Sequence, residues 1–140
     1  MGIKMNWLGL FGGLLLVVSA CSGDGGKAAK LKIGDPAPDF AATDLSGRPV
    51  KLASFKGKPV VLRFWSTECR FCRADTPIFN RYFEKYKAAG LEVFYINRQG
   101  DEKAVRRFVA DLEVAFPVII DRDGKISARY NIKGSLKNRT

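Results

Sequence analysis

Trp65-Ser66-Thr67-Glu68-Cys69-Arg70-Phe71-Cys72 joins a strand signal to a helix signal, and its reading decides the fold. Upstream, Val60, Val61, Leu62, Phe64 and Trp65 form an almost continuous apolar run, the pattern of a strand buried on both faces. Downstream, Ala74, Ile78, Tyr82, Phe83 and Tyr86 recur at helical spacing until Gly90 supplies a stop. The cysteines therefore fall at a strand-to-helix turn, Cys69 near the helix N-terminus and Cys72 one turn further in. Free amides and the positive end of the helix dipole favour a thiolate at that place. The thiolate is the form of cysteine that attacks a disulfide. This is the layout of a dithiol redox centre.

Composition narrows what else the chain can be. With 140 residues, 46% of them hydrophobic, there is room for one domain with a real core. Three cysteines and no histidine exclude serine-histidine hydrolysis, haem attachment at the C-x-x-C and any Cys/His zinc site. Two thiols fall short of a four-ligand structural zinc site, so neither metal nor cofactor is expected. The net charge of +10 is scattered over all segments, with no aromatic-basic stripe. It reads as a solvated surface, and nucleic acid is not an expected partner.

Residues 1–20 read as a signal segment: Lys4 supplies a positive start, residues 7–18 are apolar apart from glycines, and Ser19 and Ala20 are small. The apolar stretch is short for a membrane span of about 20 residues. Val18-Ser19-Ala20-Cys21 resembles a bacterial lipobox, which implies lipidation of Cys21 and a membrane-anchored lipoprotein outside the cytoplasm. The competing readings are an ordinary secretory signal or an uncleaved anchor. Ser22, where an acidic residue would retain a lipoprotein in the inner membrane, points to the outer membrane of a two-membrane cell. Residues 21–30 form a glycine-rich polar tether, and residues 31–140 form the domain.

Within that domain, residues 40–44 and 49–52 flank Leu45-Ser46-Gly47-Arg48 as a hairpin, with Ser54 as cap of a short turn. Residues 91–96 read as a second strand of the main sheet. Asp101 caps a helix carrying Ala104, Val105, Phe108, Val109 and Leu112. Phe116-Pro117-Val118-Ile119-Ile120 and a turn at Asp121-Arg122-Asp123-Gly124 follow, then residues 125–130. Strand-helix-strand-helix order with a C-x-x-C at the first turn implies an α/β sandwich with an N-terminal hairpin extension.

Several ordered segments then carry a resemblance. They are Ile33-Gly34-Asp35-Pro36-Ala37-Pro38-Asp39-Phe40, the run from Leu52 through Lys58-Pro59 to Trp65, Cys69-Arg70-Phe71-Cys72, Asp75-Thr76-Pro77, and Phe116 to Asp121. Together they resemble the TlpA/ResA-like group of extracytoplasmic thioredoxin-like proteins, within the redoxin/AhpC-TSA superfamily. The resemblance implies a thioredoxin-like fold with Cys69 as exposed nucleophile and Cys72 as resolving thiol of a redox disulfide. Trp65 matches the aromatic that opens the active-site loop. Asp75 stands in place of a glutamate thought to help move protons, and Pro77 matches a helix-kinking proline. Protein disulfides or dithiols are the implied substrates, with a membrane electron donor restoring the dithiol. Cytochrome c maturation is a common task of the group.

Three departures stand out: Glu68 replaces a tryptophan, Phe71 a proline, and Arg63 a small polar or apolar residue. Glu68 opposes a thiolate at Cys69, while Arg70, Arg73 and the helix terminus favour it, so Cys69 is expected to ionise below a free thiol. A purely structural disulfide is disfavoured, because so short a loop constrains the unfolded chain little. For Arg70, Arg73 and Asp75 the simpler reading is solvated helix charge. Phe64, Phe79, Phe83 and Phe94 read as core.

Thiol-disulfide exchange, as a reductant, is the leading function. Peroxide reduction is the enzymatic alternative, but its pattern needs a threonine three residues before the attacking cysteine, whereas Thr67 is two before. The other alternative is an inactive, incomplete domain. Residues 128–136 resemble the segment leading into a cis-proline loop, yet position 137 is Lys, so the C-terminal strands and helix of the fold are expected to be missing. Pro117 is the other candidate for that proline.

Overall fold

In the computed structural model, residues 30–98 and 100–132 are described. The signal segment, Cys21, Ser22 and the reading around Lys137 lie outside them.

The chain opens with a small antiparallel hairpin, β1 (Ala41–Thr43) and β2 (Pro49–Lys51), in register Ala41↔Lys51. Its turn is held by the buried Asp44 carboxylate, which accepts the backbone N–H groups of Ser46 (2.8 Å) and Arg48 (2.9 Å) and the Arg48 Nε (2.9 Å). Burial alone would raise the pKa of Asp44, but the bonds from Arg48 and Ser46 bring it below the usual carboxylate value. Leu45 N donates to the Val118 carbonyl at 2.8 Å, which fixes the hairpin against the main sheet. A 3₁₀ turn, Leu52–Phe55, follows. Ser54 is not its cap: the Asp39 carboxylate accepts the Ala53 N–H instead, at 2.9 Å.

The main sheet is parallel, in order β3-β4-β5, with β3 at Val60–Trp65, β4 at Glu92–Arg98 and β5 at Val118–Asp121. Helix α1 (Arg70–Tyr86) connects β3 to β4, and α2 (Glu102–Asp111) connects β4 to β5. A short α3 (Lys125–Arg129) begins where Asp121 accepts the N–H groups of Ile126 and Ser127.

Two cores lie on opposite faces of this sheet. One joins Trp65, Cys72, Tyr95, Val105, Phe108 and Phe116 beneath α1 and α2. The other joins Phe40, Val50, Phe94, Ile96 and Ile119 with Ile126 of α3. Successive β4 side chains alternate between them, so β4 is the strand buried on both faces.

That corrects two expectations. The apolar run of β3 suggested a strand buried on both faces, but among the described residues β3 is at the edge of the sheet and Val61 is 37% exposed. On α1 the periodic stripe of Ile78, Tyr82 and Tyr86 is 43, 57 and 40% exposed. The face that packs is Cys72, Thr76, Phe79 and Phe83, so Phe79 and Phe83 join the core as expected while the rest of the stripe does not. A helix with apolar residues around most of its circumference does not reveal its phase by periodicity alone. Between the two faces, Val61, Ile78, Phe79, Tyr82, Leu91 and Val93 line an apolar groove of about 360 Å³. No described peptide bond is cis, so Pro117 at the entry to β5 does not fill the alternative role considered for it.

Packing in the first core sets an expected contrast. Phe108, 2% exposed and 4.2 Å from the Trp65 ring, should cost about 3–5 kcal/mol on truncation to Ala. Ile78→Ala should cost only about 0.5 kcal/mol. Urea unfolding of both variants checks the pair, and equal losses would mean that α1 packs on its other face.

Candidate active site

The site is made by the turn from β3 into α1. Trp65, the last residue of β3, is fully buried and packs at a tilt against Phe108 and Tyr95, with centroids 4.2 and 5.9 Å away. This packing ends the strand at a fixed point and delivers the next residues to the surface at the C-terminal edge of parallel strands, where open α/β sheets place their sites.

Cys69 is the N-cap of α1, in extended conformation, and its sulfur accepts the Cys72 backbone N–H at 3.2 Å. An amide aimed at this sulfur, with the helix dipole behind it, stabilises negative charge there in the reduced state. Cys69 and Cys72 form a disulfide with a Cα–Cα separation of 5.2 Å. The two sulfurs are unequal in access, since Cys69 is partly exposed while Cys72 is 5% exposed and belongs to the core.

The loop residues named from the sequence surround this pair. Glu68 and Arg70 are exposed, and Phe71, between the cysteines, is 73% exposed. Arg73 departs from its expected part as a free cation beside Cys69. It pairs with Asp111 of α2 at 3.2 Å and lies over the Phe108 ring at 5.3 Å, so half of the expected cationic support is already engaged.

Asp75 is on the sheet side of α1, one turn beyond Cys72, and both of its oxygens are 2.7 Å from Nη2 of Arg63 on β3. The Arg63 guanidinium lies over Phe79 at 4.6 Å and Tyr95 at 5.9 Å. The sequence marks each residue singly; what escapes it is their pairing. A charge inside an apolar strand, followed by an acid in the first turns of the next helix, is the available signal.

Two further neighbours are not evident from the sequence. Thr76 Oγ1 donates to the Cys72 carbonyl at 2.6 Å and is 3.4 Å from the Tyr95 hydroxyl. Burial pushes the Tyr95 phenol above its usual value, against the opposing effects of Thr76 and Arg63. Tyr95 is therefore a neutral hydroxyl at neutral pH. Thr76, four residues after Cys72, could have been found from helical spacing.

Comparison with known proteins agrees with this arrangement. The chain is 40% identical over 106 residues to thiol-disulfide oxidoreductase ResA of Bacillus thuringiensis subsp. konkukian, a match covering 76% of this chain and 61% of that one. Thus the match takes in about three fifths of that relative's length. Among solved structures, it is similar to a secreted Mycobacterium tuberculosis disulfide oxidoreductase homologous to E. coli DsbE. That likeness has 38% identity and a TM-score of 0.62, covering 66% of this chain and 68% of the other. The thioredoxin domain of a thiol-disulfide oxidoreductase from Bacteroides vulgatus aligns with a TM-score of 0.68 at 26% identity, over 75% of this chain and 77% of that one. The fold is thioredoxin-like. With the AhpC/TSA family model matching residues 33–140, the chain belongs to the AhpC/TSA family.

Proposed function

We propose that the chain carries out thiol-disulfide exchange outside the cytoplasm, acting as a reductant of protein disulfides. The observation that carries this reading is the Cys69–Cys72 pair itself, bonded across the first turn of α1 with one sulfur accessible and the other in the core. In the reduced chain, the Cys69 thiolate attacks one sulfur of a substrate disulfide. That S–S bond breaks, a mixed disulfide forms, and the released substrate thiolate takes a proton. Cys72 then gives up its proton and attacks Cys69 sulfur, releasing the second substrate thiol. Two electrons pass to the substrate, and the Cys69–Cys72 disulfide remains. A membrane-held dithiol donor would reduce it again. Phe71 offers an exposed ring beside Cys69 for an apolar substrate segment, and Asp75 sets charge near Cys72.

Location follows from the sequence. Residues 1–20 as signal peptide and Cys21 as lipidated N-terminus would tether the thioredoxin-like domain to a membrane through residues 21–30, with Ser22 favouring the outer membrane. The secreted relative supports export. Among the described residues no helix is long and apolar enough to cross a membrane.

With dithiothreitol as electron source, the chain should accelerate insulin reduction, and Cys69→Ala should lower the rate by about a hundredfold or more. Hydrogen peroxide should be consumed no faster than by the Cys69→Ala variant. Insulin reduction unaffected by Cys69→Ala would refute the exchange reading, and peroxide turnover dependent on Cys69 would replace it.

Expressed in a bacterial host, the chain should take up labelled palmitate and partition into detergent, and Cys21→Ser should lose both. Label retained by the Cys21→Ser variant would refute lipidation at that residue.

A further inference from the structure

The observation that calls for a role is a guanidinium held under the active-site helix. Arg63 sits in an otherwise apolar strand, where a charge is costly to bury without a partner. Its side chain is 21% exposed and that of Asp75 35%. Nη2 alone meets both Asp75 oxygens at 2.7 Å, the cation faces two aromatic rings, and Nε is buried with no hydrogen-bond partner. Asp75 is three residues after Cys72 on α1, a spacing that puts neighbouring side chains about 5–6 Å apart at Cβ. The pair thus brings one negative and one positive group to the flank of the resolving cysteine.

We infer that Arg63 is a positioning residue for the exchange reaction: by holding Asp75 against the sheet it cancels a carboxylate charge beside Cys72, and so eases formation of the Cys72 thiolate that resolves the mixed disulfide. This rests on the reading of Cys72 as the resolving thiol. A carboxylate with both oxygens engaged is also a poor carrier for the proton that Cys72 gives up. The resemblance assigns Asp75 to moving protons; the clamp makes it half of an ion pair whose balance sets the charge felt by Cys72.

The other groups packed around this point do not substitute for Arg63. From β4 comes Tyr95, a neutral hydroxyl bonded toward Thr76. Arg73 on α1 is turned to Asp111 of α2, and Glu68 and Arg70 are exposed at the opening of the loop. Among the described residues, only Asp75 and Arg63 form an ion pair between α1 and β3.

The electrostatic role predicts opposite signs for the two partners, whereas a purely structural clamp would not. In a Cys69→Ser background, the rate of Cys72 alkylation by iodoacetamide is followed against pH, with peptide mapping to separate Cys72 from Cys21. Arg63→Met, which leaves the carboxylate uncompensated, should move the Cys72 inflection up by about one pH unit. Asp75→Asn, which leaves the cation uncompensated, should move it down by about the same amount. The double variant should return close to the parent, and Arg63→Lys, which keeps a single nitrogen donor, should stay within about a third of a unit of it. Shifts of the same sign in Arg63→Met and Asp75→Asn, or no shift in either, would overturn the inference. If Arg63→Met does not fold, a downward shift in Asp75→Asn alone supports it, and an upward or absent shift overturns it. The profile is read on the Cys72 sulfur and needs no exchange partner, so failed insulin reduction would count against the exchange reading alone.

Discussion

Burial of Trp65 is the constraint on which the rest of the site depends. Its ring packs against Phe108 of α2 and Tyr95 of β4, in the same core as Cys72 of α1, so the strand, both long helices and the inner cysteine share one core with it. With that ring fixed, the chain leaving β3 has only Ser66, Thr67 and Glu68 before Cys69 must cap α1. The cap position places the first sulfur in front of the helix amides, and one helical turn carries the second into the core. Unequal access of the two sulfurs is thus a consequence of where a tryptophan packs. Directional attack and resolution need that inequality.

Charge is arranged on two levels around this pair. At the mouth, Glu68 and Arg70 are solvated and screened, so their effects are modest and fall with salt. Beneath the helix, the Arg63–Asp75 pair is partly withdrawn from water, where the same charges act more strongly. Arg73 belongs to neither level: its ion pair with Asp111 ties the start of α1 to α2. The helix terminus therefore carries more of the support for a thiolate at Cys69 than a count of nearby arginines suggests.

Much of this was legible in the sequence. The C-x-x-C, the apolar strand before it, Asp101 as cap of α2 and the hairpin around Gly47 all read correctly, because each is a local signal with its own physical cause. The misreadings share a different origin. Ile78, Tyr82 and Tyr86 are as apolar as Phe79 and Phe83, and only the position of the sheet decides which set is covered. β3 and β4 are similarly apolar, and only strand order tells which is buried on both faces. Arg63 with Asp75, and Thr76 with Tyr95, are pairings across elements, which no single-segment pattern encodes.

Trapping the covalent intermediate tests the division of labour between the sulfurs most directly. A Cys72→Ser chain, reduced and mixed with a disulfide-bonded protein substrate, should accumulate a mixed disulfide through Cys69, mapped by mass spectrometry of non-reduced peptides. The Cys69→Ser chain should accumulate little through Cys72, a residue that is 5% exposed. An equal or greater yield of adduct at Cys72, or none at Cys69, would contradict the assignment of attack to the cap position of α1.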